Sequence, residues 1–232
     1  MENFSNKQEG ESQWLPISDL MSVLMMVFLL IAVSYMLKVY LEKEKIEEVA
    51  ITYNKLQNEL YEDLSAEFEE DLKKWNAEID KTNLSVRFKS PEILFDMGIA
   101  NLKPDFKIIL ADFFPRFIAI LHQDEYRNDI DEIRIEGHTS SYWRAETTED
   151  RAYIYNMELS QDRTRNVLDF VLSNEKDSEL SKWIRLNVTA NGLSSSKLII
   201  DKDGNQNREL SRRVEFRVKT NAEKRIAKIL GE

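Results

Sequence analysis

The sequence predicts an α+β protein with a single N-terminal transmembrane helix, a long linker helix and a C-terminal domain of order β-α-β-α-β-β. Three observations predict it. Residues 20–37 are uncharged within the run "WLPISDLMSVLMMVFLLIAVSYML". Residues 49–79 carry one apolar stripe at steps of four and three. From residue 84 onward, strand-like alternation and helical spacing take turns.

Composition narrows the function. The chain has 232 residues, enough for one or two domains. Its 42 acidic and 32 basic residues give a formal charge of -10, which argues against a general nucleic-acid binder. Cysteine is absent, which removes disulfides, thiolate metal sites and a cysteine nucleophile. His122 and His138 are too few and too far apart for a histidine-rich metal site. No G-x-S-x-G, phosphate loop or metal cluster is present. The expectation is a protein that is not an enzyme and has no cofactor or metal.

Residues 1–13, "MENFSNKQEGESQ", read as a short disordered arm. Residues 14–37 read as the transmembrane helix, since about 20 apolar residues cross a hydrocarbon core of about 30 Å. Trp14 and Tyr35 lie near its two ends, where amphipathic aromatics favour the headgroup level. A cleaved signal peptide needs a basic start and a small-residue cleavage site. This arm instead carries Glu2, Glu9 and Glu11 against Lys7, with no such site.

Residues 38–83 read as a linker helix. Val49, Tyr53, Leu56, Leu60, Leu64, Phe68, Leu72, Trp75 and Ile79 line one face. A stripe this long packs either on a partner chain, as a dimer seam, or on the following domain.

Residues 84–219 read as the globular domain and 220–232 as a tail. "LSVRF" alternates as a strand, and "KPDFKIILADFFPRFIAIL" is helical with Pro115 as an expected break. "DEIRIEGH" is a strand with Ile133 and Ile135 on one face. "SQDRTRNVLDFVLS" is a helix with Ser160 as its expected N-cap. "IRLNVTANG" and "RRVEFRV" are strands, the latter with Val214, Phe216 and Val218 on one side. Two helices over one face of a mixed sheet is the packing this order suggests.

Four strings in this domain carry a resemblance: "ILFDMGIANLKPDF", "IEGHTSS", "NMELSQDRTRNVLDFVL" and "SRRVEFRV". Together they resemble the OmpA-like peptidoglycan-binding domain, whose pattern includes F-D-x-G-x-x-x-L, G-H-T-D, N-x-x-L-S-x-x-R and R-R-V-E. The N-terminal segment is similar to the MotB-type stator subunit, with Trp14 ahead of Asp19-Leu20-Met21-Ser22 and then Met25-Met26-Val27-Phe28. Within that architecture, the spacing from Trp14 to Asp19, the L-M-S-x-x-M-M string and the S-R-R-V-E string look closer to the ZorB subunits of Zorya anti-phage systems.

The resemblance implies an inner-membrane protein, single-pass, with a cytoplasmic N-terminus and a periplasmic domain. It implies a homodimer inside a MotA-like (ZorA-type) ring, ion flow through Asp19 and anchoring on a peptidoglycan stem peptide. A flagellar stator and a plain membrane-to-wall tether are the alternatives. The charge rule for topology opposes the orientation, since Lys38, Lys43 and Lys45 outweigh Lys7. The family-based orientation is preferred because a wall-binding domain has no use in the cytoplasm.

Asp19 is the chemical centre of the span. A charged carboxylate at membrane depth loses hydration, and protonation removes that cost. A proton that comes and goes can therefore bias a contact with a second protein. The plain alternative is that Asp19 or Ser18 caps the membrane helix. H⁺ is the expected ion, and Na⁺ stays open, with Ser18, Ser22 and Ser34 as extra oxygens. In the wall-binding domain, Arg163 matches the family arginine that forks to a stem carboxylate. Thr139, Ser140, Asn156 and Arg213 are the other expected contacts, with backbone N–H groups near Thr139 and Ser140; Arg213 holds either the site or the fold. Ser140 stands where the family has the ammonium-binding aspartate, and Glu146, Glu149 or Asp150 are candidates to replace its charge.

Overall fold

The computed structural model describes residues 6–89, 91–222, 224, 227 and 228, with side chains from Ile17 onward except Pro91 and Glu92. Helix α1 (Asn6–Lys74) runs without interruption through the expected arm, span and linker. The disordered arm is thus corrected from residue 6. Lys, Gln and Glu in this stretch are good helix formers, and they extend a helix that the apolar run has already nucleated. Residues 1–5 lie outside the described residues. Residues 17–41 are all exposed. Among the described residues, α1 is the helix long and apolar enough to cross a membrane.

The chain divides into two units, Met1–Ile51 with Arg225–Glu232, and Thr52–Lys224. Within the second unit the apolar stripe turns on its own domain. Leu60, Leu64 and Phe68 are buried in the core, and Leu56 and Leu72 pack at its margin. Each fully buried side chain of this kind contributes about 1.5–3 kcal/mol. The stripe therefore serves the domain and is not free to act as a dimer seam. Arg116 fixes the arrangement: Nε donates to Glu67 Oε1 at 2.6 Å and Nη1 to Asp71 Oδ2 at 2.9 Å. Its guanidinium also lies 4.8 Å from the centre of the Phe68 ring.

The linker helix ends earlier than expected. Asn76 adopts φ 48, and β1 (Ala77–Asp80) pairs antiparallel with β2 (Ser85–Phe88). The Asp80 carboxylate closes their turn by accepting from the N–H groups of Thr82 and Asn83. Trp75 and Ile79 happen to fit helical spacing, and β1 is half-buried along its whole length, so no alternation reveals it.

After α2 (Pro91–Leu94), α3 (Pro104–Leu121) passes straight through Pro115. One lost backbone bond is outweighed by a buried face of Phe106, Leu110, Phe113, Phe117, Ile118 and Leu121. Strand β3 (Ile130–His138) follows, then α4 (Glu149–Asn174). Ser160 is interior to α4 and not its cap; its hydroxyl donates to Met157 O and accepts from Ser194 N. Helix α5 (Ser178–Asn187) takes the first part of the expected strand, capped by Asp177, and β4 (Val188–Gly192) keeps the rest. A short α6 (Arg208–Ser211) leads into β5 (Arg213–Thr220). Of the expected tail, residues 223, 225, 226 and 229–232 lie outside the described residues.

The observed class is α+β as predicted, with one strand (β1) and three helices (α2, α5 and α6) more than the predicted order. The sheet order is β1-β2-β5-β3-β4, with β3 and β4 parallel and the other pairs antiparallel. Aromatic rings fill the space beneath it. Phe113 lies 5.0 Å from Phe216 on β5, 5.2 Å from Phe88 on β2 and 5.2 Å from Phe68 on α1.

Candidate functional site

Asp19 lies well inside α1, which begins at Asn6. An N-cap stands outside the first helical turn, so the capping explanation for Asp19 and Ser18 fails. The Ser22 hydroxyl donates to Ser18 O at 2.9 Å, along the helix. Asp19 is exposed on the helix flank, and the next charge along the chain is Lys38. Tyr35 is exposed at the far end. Trp14 is helical in backbone, and its side chain lies outside the described set.

The second place is a cleft of about 490 Å³ in the C-terminal domain. Four segments build it: the turn after α2, the loop after β3, the first half of α4, and the junction of α6 with β5. Gly98 supplies the turn with φ 71, a conformation that side chains resist. Arg163 reaches from α4 to hold that turn, with Nε donating to Ile99 O and Nη2 to Asp96 O, both at 3.0 Å. Its guanidinium stacks 4.6 Å from the Phe95 ring centre. Burial, then the charge of Arg212, pushes the Arg163 guanidinium down to about 10. Helix α4 sits close because two glycines admit it. A Cβ at Gly137 would lie 2.7 Å from Thr164 Cγ2, and one at Gly192 would lie 2.4 Å from Gln161 N.

Of the predicted contacts, Thr139, Ser140, Asn156 and Arg163 come together in the cleft lining. Asn156 is buried, and its amide donates to Ser140 O at 3.1 Å and Tyr142 O at 3.3 Å. It shapes the loop. The Thr139 N–H donates to Ser194 O at 2.9 Å, so it is not free for a ligand as expected. The Thr139 hydroxyl, by contrast, is buried without a partner.

Of the two readings of Arg213, its contacts favour the fold over the site. It is buried, with Nε on Glu215 Oε1 at 2.5 Å and Nη1 on Lys197 O at 3.1 Å. Its neighbour Arg212 lines the cleft instead. Sequence reasoning missed Arg212, although alternation at the start of β5 sends adjacent arginines to opposite sides. Glu146, Glu149 and Asp150 do not line the cleft. Glu149 and Asp150 form the first turn of α4, where carboxylates favour the helix N-terminus. The lining is cationic: Lys103, Arg144, Arg163 and Arg212 against Asp96, which lies 3.4 Å from Lys103. Such a cleft suits a carboxylate-bearing ligand.

Behind it, Glu136, His138 and Glu215 bring potential ligand atoms within 4.8 Å of one another, all buried. The donor set would suit a divalent metal. However, Glu215 Oε1 accepts from Arg213 and Arg87, and Oε2 accepts from Ser85. A metal would meet two guanidinium charges, so the residues do not fit one.

An α+β domain with a cationic cleft, preceded in the chain by a helix long and apolar enough to cross a membrane, has the make-up of a membrane-linked subunit. Zorya protein ZorB from Escherichia coli strain Crooks is 49% identical over 226 residues, covering 97% of this chain and 95% of that protein. The chain belongs to the ZorB family of Zorya proteins. No family model matches it. Solved structures that align with it include a protein described as MotB-like from Desulfovibrio vulgaris, at 22% identity and TM-score 0.48, covering 77% of this chain and 95% of that one. The periplasmic domain of Helicobacter pylori MotB aligns at 17% identity and TM-score 0.41, covering 63% and 83%.

Proposed function

We propose that this chain is a proton-driven motor subunit of the bacterial inner membrane, anchored to peptidoglycan and working in anti-phage defence. Its N-terminus is cytoplasmic and its C-terminal domain periplasmic. Two copies sit inside a MotA-like, ZorA-type ring, and Asp19 passes the ion whose flow turns that ring. The cleft around Arg163 binds a stem peptide. The role is mechanical, with no catalytic step. Membership of the ZorB family supports the reading. Asp19 is the observation that carries it: an exposed carboxylate inside a helix, beside an uncharged stretch of membrane-spanning length, with no capping duty to explain it.

The test is Asp19→Asn in the full system. Asparagine keeps the size and polarity but cannot release a proton. Phage protection should be lost while membrane insertion and ring assembly persist. Full protection by this variant would overturn the ion-site reading and leave a plain tether.

A further inference from the structure

The first unit is discontinuous: it joins Met1–Ile51 with Arg225–Glu232. Its part of α1 carries a second stripe. Every residue from 17 to 41 is exposed, as on an uncovered helix, yet Glu42, Ile46 and Val49 are half-buried. Steps of four and three put them on one face. Ile51, on the opposite flank, is 70% exposed. Glu42 is shaded by its ion pair with Lys38, but Ile46 and Val49 are apolar and need another cover. The C-terminal segment has the matching pattern. Ala222, Ile226, Ile229 and Leu230 fall at i, i+4, i+7 and i+8, the apolar stripe of an amphipathic helix. Its described residues agree: Ala222, Lys224, Ala227 and Lys228 are helical, the alanines half-buried and the lysines exposed. The charges are complementary. Residues 42–48 hold four glutamates and two lysines, while residues 222–232 hold three basic and two acidic side chains.

We propose that the C-terminal segment is an intramolecular strap, which lays Ile226, Ile229 and Leu230 on Ile46 and Val49 of its own chain. This depends on neither the ion nor the wall-binding reading. The strap has a physical task. Residues 42–51 follow the uncharged run and precede the part of α1 that packs in the core, which starts at Leu56. A short stretch of single helix in water is marginal, and an apolar cover on one face stabilises it. The strap therefore braces α1 just beyond its apolar run.

The chain has no cysteine, so a pair can be introduced alone. The purified full-length chain carrying Val49→Cys and Ile229→Cys, in detergent micelles, is treated with a short bismaleimide. Denaturing electrophoresis and mass spectrometry of the digested peptides should show the two positions linked within a chain of monomer mass. The pair Ile51→Cys and Ile229→Cys should link several-fold less, because Ile51 points away from the stripe. Linked peptides at doubled mass would place a second copy on the stripe. Equal linking from both pairs, or none from either, would show that the tail does not seat there. Each of these results overturns the strap. Hydrogen exchange tests the brace. Ile226→Ser with Ile229→Ser should lower amide protection over residues 42–51 by about tenfold, with α3 and α4 unchanged. Lys228→Ala, at an exposed position, should leave protection as it is. Unaltered protection over 42–51 in the double variant would overturn the bracing role. The cross-link removes no packing, so a variant that merely fails to fold cannot imitate it.

Discussion

The Tyr126 hydroxyl donates to Asp63 Oδ2 at 2.6 Å, joining the segment after α3 to α1 across 63 residues of sequence. Burial, and then Asp63 itself, push this phenol well above its usual value, so it stays a donor at any physiological pH. With the Arg116 clamp, it makes the end of α1 a structural part of the domain.

Leu64→Ala should therefore lower stability by about 2–5 kcal/mol, the usual cost of a large-to-small change in a core. Leu64 is buried at 1% exposure whereas Ile51 on the same helix is 70% exposed, so Ile51→Ala should leave the melt unchanged. Thermal unfolding of the full chain in detergent, followed by near-UV circular dichroism, separates the two. If Leu64→Ala melts with the wild type, the stripe faces a partner after all.

Acid should unfold the domain in two stages. Burial pushes the His138 imidazole down. Burial raises the Glu215 carboxyl, but Arg213 and Arg87 outweigh it and hold the group below the usual carboxylate range. Both folded values lie below the unfolded ones, so the unfolded chain binds more protons as pH falls. The His138 contribution is present above about pH 6.5 and is lost below it; that of Glu215 is present above about pH 4.3 and is lost below that. Melting temperature against pH should show both limbs, and His138→Gln should remove the upper one alone. A wild-type profile flat down to about pH 4.5 would contradict the burial argument.

Gly192→Ala should loosen the cleft from behind. Its Cβ would lie 2.4 Å from Gln161 N and 2.6 Å from Gln161 Cα, and backbone cannot swing aside as a side chain tip can. Overpacking of this kind costs about 1–3 kcal/mol. Because Gln161 and Arg163 share one turn of α4, stem-peptide affinity should fall along with the melting temperature. Gly98→Ala meets no atom within 4 Å but must hold φ 71, so its cost is conformational only. Equal melting of Gly192→Ala and wild type would show that α4 can shift freely.

The fold class was legible because apolar period marks the core side: Val214, Phe216 and Val218 alternate and join the core, although Glu215 between them is buried as well, beside Arg213 and Arg87, and α3 keeps its face through Pro115. What was not legible lay where local pattern and tertiary contact disagree. Strand β1 has four half-buried residues and so no alternation. Ser160 looked like a cap, but α4 begins at Glu149 because the loop from Ser140 winds into helix. For the candidate site, motif spacing picked out Thr139, Ser140, Asn156 and Arg163, which line one cleft. It could not say which of Arg212 and Arg213 faces the cleft, since that depends on where β5 begins. Nor could it say that the Leu60 and Leu64 side meets its own domain, since one stripe serves either partner equally well.

Ser140→Asp tests the charge logic of the cleft from the opposite direction. Ser140 is buried, lines the cleft, and has its carbonyl held by Asn156, so the loop geometry does not depend on its hydroxyl. An aspartate there would enter a wall shared with Arg163 and Arg212, whose charges favour its ionised form. It would neutralise part of that positive charge and offer a new partner to an ammonium. Affinity for a stem peptide with a blocked amine should fall by about threefold to tenfold, while the free-amine peptide should lose less or gain. The variant should therefore discriminate between the two peptides more strongly than the wild type does. Calorimetric titration of both peptides against both proteins gives four affinities, and the ratio of ratios is the quantity that matters. If that ratio stays near one, position 140 does not face the ligand amine, and the missing carboxylate is not what sets the preference of this cleft.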